Sequence, residues 1–152
     1  MSTFSRVAPD AVPMALLLLA DPSEDHIGTY LEGALCYLAK DDGQAVGACV
    51  LSINRTGVLE LFNIAVATEV QAKGIGTALL EHVIADARAQ GYERIELGTG
   101  TFGHQLAFYQ RVGFRVEAVV RGHFLDHYDE PIHEQGIQHK DMLRLGLTLF
   151  PG

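Results

Sequence analysis

The strongest constraint on the fold is a change of period between residues 58 and 97. Val58 to Val66 is a continuous apolar run of strand type, whereas after Gly76 the apolar residues recur as Leu79, Leu80, Val83, Ile84 and Ala87. That spacing lies on one helical face, with Glu81, Asp86, Arg88 and Gln90 on the other. Gly91 stops the helix as a natural C-terminal residue, and Arg94 to Leu97 returns to a strand pattern. A strand, a crossover helix and a second strand in succession make a parallel pair. Upstream, Leu35–Lys40 and Ala45–Asn54 flank Asp41-Asp42-Gly43, and Thr56-Gly57 leads into the 58–66 run, so these three strands form an antiparallel meander. The prediction is a mixed, mostly antiparallel α/β sheet with helices on both faces.

Other elements fit around this frame. Residues 12–19 read as a short leucine-packed helix, and the Asp21-Pro22-Ser23 turn can cap a second helix through Leu31. His104–Val112 reads as a helix ending at Gly113, and Phe114–Phe124 and Met142–Phe150 as strands separated by a polar loop. The 152 residues carry no repeat or linker and are 48% hydrophobic, which predicts one domain over 1–152. Centring the first hairpin on Asp42-Gly43 puts Cys36 opposite Cys49. That leaves a cross-strand disulfide or, more simply, two small buried thiols.

The formal charge of −8 repels polyanions over the average surface and argues against nucleic acid as a partner. The apolar run Met14–Ala20 is too short to span a bilayer, and Asp10 and Asp21 bracket it. With only two cysteines, a reduced, cytoplasmic setting without membrane attachment is expected.

Gln71-Ala72-Lys73-Gly74-Ile75-Gly76 lies between a strand end and the strongest helix. Glycines there let backbone approach a ligand, while first-turn N–H groups and the helix dipole favour an anion. A P-loop would need Gly-Lys-Ser/Thr, and a dinucleotide site would need a third glycine and a later acidic residue; neither is present. The segment resembles the Gln/Arg-x-x-Gly-x-Gly/Ala signature of the GNAT superfamily, the acetyl-CoA-dependent N-acetyltransferases. Leu61–Val66 looks like the strand that precedes that loop, and Ala107-Phe108-Tyr109-Gln110-Arg111-Val112-Gly113-Phe114 looks like the Ala-x-x-Tyr-x-x-x-Gly-Phe segment that follows it.

This resemblance implies the GNAT fold and acetyl transfer to a primary amine in a ternary complex. It implies that the backbone of Ile64, Ala65 and Val66 holds the acetyl and pantetheine portions, with an N–H near Ile64 stabilising the oxyanion. Gln71, Ala72, Lys73, Gly74, Ile75, Gly76 and Thr77 would bind the pyrophosphate. Tyr109 is the expected proton donor to the departing thiolate, the alternative being a core phenol with a satisfied hydroxyl. Glu60 matches a glutamate base of some members. Period-2 alternation places it on the face of Ile64, the alternative being a solvated strand residue. One departure is that no asparagine precedes the 104–112 helix, so Thr101, His104 or water replaces its contact, or the contact is missing.

The 122–140 region holds His123, His127, His133 and His139 with Asp126, Asp129, Glu130 and Glu134. No spacing fixes a metal geometry, and Pro131 interrupts the run, so no metal site is assigned. In the superfamily this connection borders the amine site, which makes Tyr128, Asp129 and Glu130 candidate ligands for a small cationic acceptor. A solvated loop or a subunit contact is the other reading, and apolar strand surface near the C-terminus allows a homodimer. Competing functions are a protein lysine or N-terminal acetyltransferase, a non-catalytic acyl-CoA sensor and a metal-binding module.

Overall fold

Seven strands form one sheet in the order β1-β2-β3-β4-β5-β9-β6, in a computed structural model that describes residues 2–150. The meander is β2 (Leu35–Asp41), β3 (Gln44–Arg55) and β4 (Val58–Val66), and β1 (Ser2–Val7) adds antiparallel to β2. β4 pairs parallel with β5 (Arg94–Gly100) through the crossover helix α3 (Ile75–Ala89), as the period change requires. β9 (Met142–Thr148) and β6 (Arg115–Val120) complete the sheet, both antiparallel. Their predicted spans were longer: Gly122, at φ 74, turns the chain into α5 (His123–Asp126), which contains Phe124. The polar loop after α5 folds into a small hairpin of β7 (His133–Glu134) and β8 (Ile137–Gln138) around Gln135-Gly136. Both turn residues have positive φ, as a two-residue turn of that hand demands.

Helices cover both faces over β3 and β4. Cross-strand partners share a face, so Gly47, which approaches Leu79 of α3, assigns Val66, Cys49 and Ile64 to the α3 side. Asn63 reaches the Leu17 carbonyl of α1 (Met14–Ala20) at 3.0 Å and defines the opposite side. There α2 (Glu24–Leu31) follows, its first turn closed by the His26 N–H donating to Ser23 Oγ at 3.0 Å. On the α3 side, α4 (His104–Val112) ends at Gly113, whose φ of 120 demands glycine.

Two register shifts correct the sequence reading. A bulge between Ala39 and Lys40 pairs Cys36 with Val50 and Cys49 with Tyr37, so the two cysteines are not opposite and point to different faces. Both are free and buried, and burial pushes the Cys36 thiol up to about 11. A second shift, between Val50 and Leu51, inserts Phe62 into β4. Glu60 then faces Ser52 and shares the α1 side with Asn63, opposite to Ile64.

Charged residues cover the α1-side face of β5, β9 and β6. Arg55 donates twice to Glu96 (3.1 and 2.9 Å), Arg94 links Glu96 to Glu117, and Arg144 links to Glu60. All six residues of the β6 edge strand are exposed. Among the described residues no helix is long and apolar enough to cross a membrane.

Candidate active site

The site originates where β4 and β5 part. Their pairing covers only Val58–Leu61 and Arg94–Leu97, yet β4 runs on to Val66 and β5 to Gly100. The Ala67 N–H donates to the Val46 carbonyl at 2.8 Å. Antiparallel alternation therefore makes Ala65 and Ala48 the pair that exchanges hydrogen bonds and turns the backbone groups of Ile64 and Val66 away from β3, into the gap. Gln71 Nε2 donates to the Val66 carbonyl at 3.0 Å. The Ile64 N–H and C=O and the Val66 N–H line the opening.

The loop below the gap presents backbone donors. Ala72 and Gly74 both have positive φ (67 and 80), and the first helical bond of α3 runs from the Ala78 N–H to the Gly74 carbonyl. Among the described residues, the N–H groups of residues 72–77 donate to no acceptor. Consecutive free amides at the start of a 15-residue helix form an anion site. A cleft of about 490 Å³ connects this loop to Ile64, Ala65 and Val66, with Gln71, Ala72, Gly74, Ile75, Gly76 and Thr77 in its wall. Lys73 is exposed and outside that wall; Arg111 of α4 supplies a cation there that sequence reading missed.

A second cleft, of about 450 Å³, meets the first at Leu19, Ala20, Ile64, His104 and Gln105. Tyr109 lines it, is 5% exposed, and has a hydroxyl with no hydrogen-bond partner among the described residues. Burial raises its pKa, which keeps the phenol protonated. Glu60 also lines this cleft, but both its oxygens accept from Arg144, at 2.7 and 2.6 Å. This bidentate grip engages both oxygens in charge-assisted hydrogen bonds.

Tyr128 enters the second cleft, whereas Asp129 and Glu130 are exposed and outside its lining. The acidic lining consists of Asp21, Glu60 and Glu134, against Arg144 as the one Lys or Arg in it. Phe62, Phe102 and Phe124 supply apolar walls. The histidines divide into two groups instead of forming a cluster. His123 stacks near His127, with ring centroids 4.5 Å apart, while His139 bonds Glu134 at 2.9 Å and stacks on Phe102. No group of three or more His, Cys, Asp or Glu residues among those described is arranged to hold a metal ion.

Sequence reading missed Asp21, His26, Asn63, Thr99 and Arg144. Arg144 carried a signal, since it interrupts an apolar strand; the others become neighbours only through tertiary packing.

Parted strands above a helix N-terminus with six free amides define an acyl-CoA transferase geometry, and the comparisons agree. Residues 11–114 match the model of the Acetyltransferase (GNAT) family, and the chain belongs to that family. It is 47% identical over 135 residues to the Bacillus subtilis protein named uncharacterized N-acetyltransferase YvbK, covering 88% of this chain and 87% of that protein. The structure described as an IAA acetyltransferase from Bacillus cereus superposes with a TM-score of 0.92 at 43% identity, covering 97% of this chain and 99% of that one. A GNAT family acetyltransferase from Elizabethkingia anophelis, solved with acetyl-CoA bound, superposes at 0.91 and 40% identity, covering 97% of both chains.

Proposed function

We propose that the protein transfers an acetyl group from acetyl-CoA to the primary amine of a small cationic acceptor, by direct attack with both substrates bound. The observation that carries this reading is the meeting of two clefts at Ile64, one walled by the free amides of the α3 loop and the other by acidic and aromatic side chains.

In this reading the pyrophosphate lies on the amides of residues 72–77, with Arg111 beside it. The pantetheine arm extends β4 along Ile64 and Val66. The Ile64 N–H donates to the thioester oxygen and stabilises the charge that develops on it. Nitrogen attacks the carbonyl carbon, the C–N bond forms, the C–S bond breaks, and the sulfur takes the Tyr109 phenolic proton, while the proton shed by the nitrogen restores the phenol through solvent. With Asp21, Glu60 and Glu134 against Arg144 alone, the lining is net acidic and attracts the acceptor's positive charge, and the phenylalanines pack its carbon skeleton. The reaction belongs to the cytoplasm in this reading, and the β6 edge is where a second copy would pair.

Thiol release from acetyl-CoA, followed with small polyamines, aromatic alkylamines and peptides bearing free α-amines or lysines, tests the reading. Release with the small amines is expected. Peptide-only release would reassign the acceptor to protein, and acetyl-CoA binding without release would make the protein a sensor.

A further inference from the structure

The α1-side wall of the acceptor cleft contains a hydrogen-bonded array that the proposed chemistry has so far left unused. His26 Nδ1 lies 2.7 Å from Asp21 Oδ2 and 3.0 Å from the Tyr128 hydroxyl. Asp21 is 6% exposed and accepts two further hydrogen bonds, the Ser23 N–H on Oδ1 at 3.2 Å and the Tyr30 hydroxyl on Oδ2 at 3.1 Å, and the Tyr30 oxygen in turn accepts from Asn63 Nδ2 at 3.0 Å. Asn63 immediately precedes Ile64 on β4, so the array is anchored beside the point where the two clefts meet.

Geometry assigns the proton within this array. A carboxylate that already accepts from a backbone amide and a phenol faces Nδ1, so Nδ1 carries the hydrogen and donates it to Asp21. Nε2 is then the unprotonated ring nitrogen, and it has no partner among the described residues. His26 and Tyr109 both line the acceptor cleft. An imidazole that lines a cleft, oriented by a buried carboxylate and with its second nitrogen unpartnered among the described residues, is the arrangement a general base needs.

Resting on the amine acetyltransfer reading above, we infer that His26 is the general base for the acceptor amine, with Asp21 as its positioning residue. As the C–N bond forms, the attacking nitrogen passes one proton to His26 Nε2. The C–S bond breaks and the sulfur takes the Tyr109 proton. Solvent then carries one proton from imidazolium to tyrosinate, so the products are the amide and the free thiol. Glu60 is relieved of the base role because Arg144 occupies both its oxygens.

The groups that face His26 are Asp21 in the preceding turn, Tyr30 on its own helix, Tyr128 after α5, and His123 of α5, while Glu24 and Asp25 adjoin it in sequence on the exposed side. All three phenol and imidazole neighbours keep their uncharged forms favoured: burial raises Tyr30 and Tyr128 and lowers His123. These neighbours therefore add no competing charge beside His26.

The test uses the full-length protein and whichever small amine gives the fastest thiol release. His26→Ala should lower kcat about a hundredfold or more, the usual range for losing a general base. Its acetyl-CoA dissociation constant should stay within about twofold, and the imidazole limb of the pH profile should vanish. Free imidazole added to His26→Ala should restore part of the rate, which a purely structural role would not allow. Asp21→Asn should lower kcat with a shifted acid limb. Wild-type release with unaltered His26→Ala kinetics, or a slow variant that imidazole does not rescue, overturns the base assignment alone. Absence of thiol release from the wild type with every amine overturns the amine reading and this assignment with it.

Discussion

Arg144 of β9 holds both carboxylate oxygens of Glu60 of β4, at 2.7 and 2.6 Å, across the intervening strand β5. The pair occupies both oxygens of the base expected from sequence and offsets the Arg144 charge, which would otherwise face the cleft proposed for a cationic acceptor. Glu60→Gln should therefore raise the acceptor KM about tenfold, equivalent to about 1.4 kcal/mol of binding, while kcat changes less than about threefold. A loss of kcat of about a hundredfold, with loss of the acid limb, would return the base role to Glu60.

Tyr109→Phe removes a hydroxyl that bonds nothing else among the described residues, so the fold should be unaffected. We expect kcat to fall about a hundredfold, with acetyl-CoA affinity within about twofold. Because burial raises the phenol pKa, the wild-type rate should not fall through tyrosine ionisation below about pH 10. Steady-state kinetics and cofactor titration of the variant check both statements.

Gly74 sits at φ 80 at the entry to α3, with open space around its α-carbon. A valine there meets backbone strain and no steric clash, costing about 1–2 kcal/mol in a left-handed position. Gly74→Val should weaken acetyl-CoA binding about tenfold by displacing the amides of residues 72–77. Acceptor KM, measured at saturating acetyl-CoA, should be little changed.

Glu96 is held below the usual carboxylate range, first by the hydrogen bonds from Arg55 and then by Arg94. Its folded pKa is depressed, so its contribution to stability is complete above the ordinary glutamate value of about 4.3 and is lost as pH falls through the folded value. Urea midpoints should decline from about pH 6 to about pH 3, and Glu96→Gln should flatten that decline.

The meander, the crossover helix and the parallel pair were legible because each rests on local periodicity or on a turn such as Asp42-Gly43. β1 was not, since Ser2-Thr-Phe-Ser-Arg-Val has no apolar run and becomes a strand only by pairing with β2. The bulges at Ala39/Lys40 and at Phe62 were hidden for a related reason: alternation is readable from sequence, but its interruption is decided by the neighbouring strand. That single inserted residue moved Glu60 to the opposite face from Ile64. Toward the candidate site, the α3 loop and Tyr109 were singled out through a motif in chain order. The Asp21–His26–Tyr128 contact spans more than 100 residues of sequence, and only the folded chain brings it together.

Initial velocities measured across a grid of acetyl-CoA and amine concentrations test the central claim, direct transfer where the two clefts meet at Ile64, most directly. Intersecting double-reciprocal lines, with no acetylated protein detected by intact mass after incubation with acetyl-CoA alone, are the predicted result. Parallel lines accompanied by an acetyl-enzyme mass would contradict it.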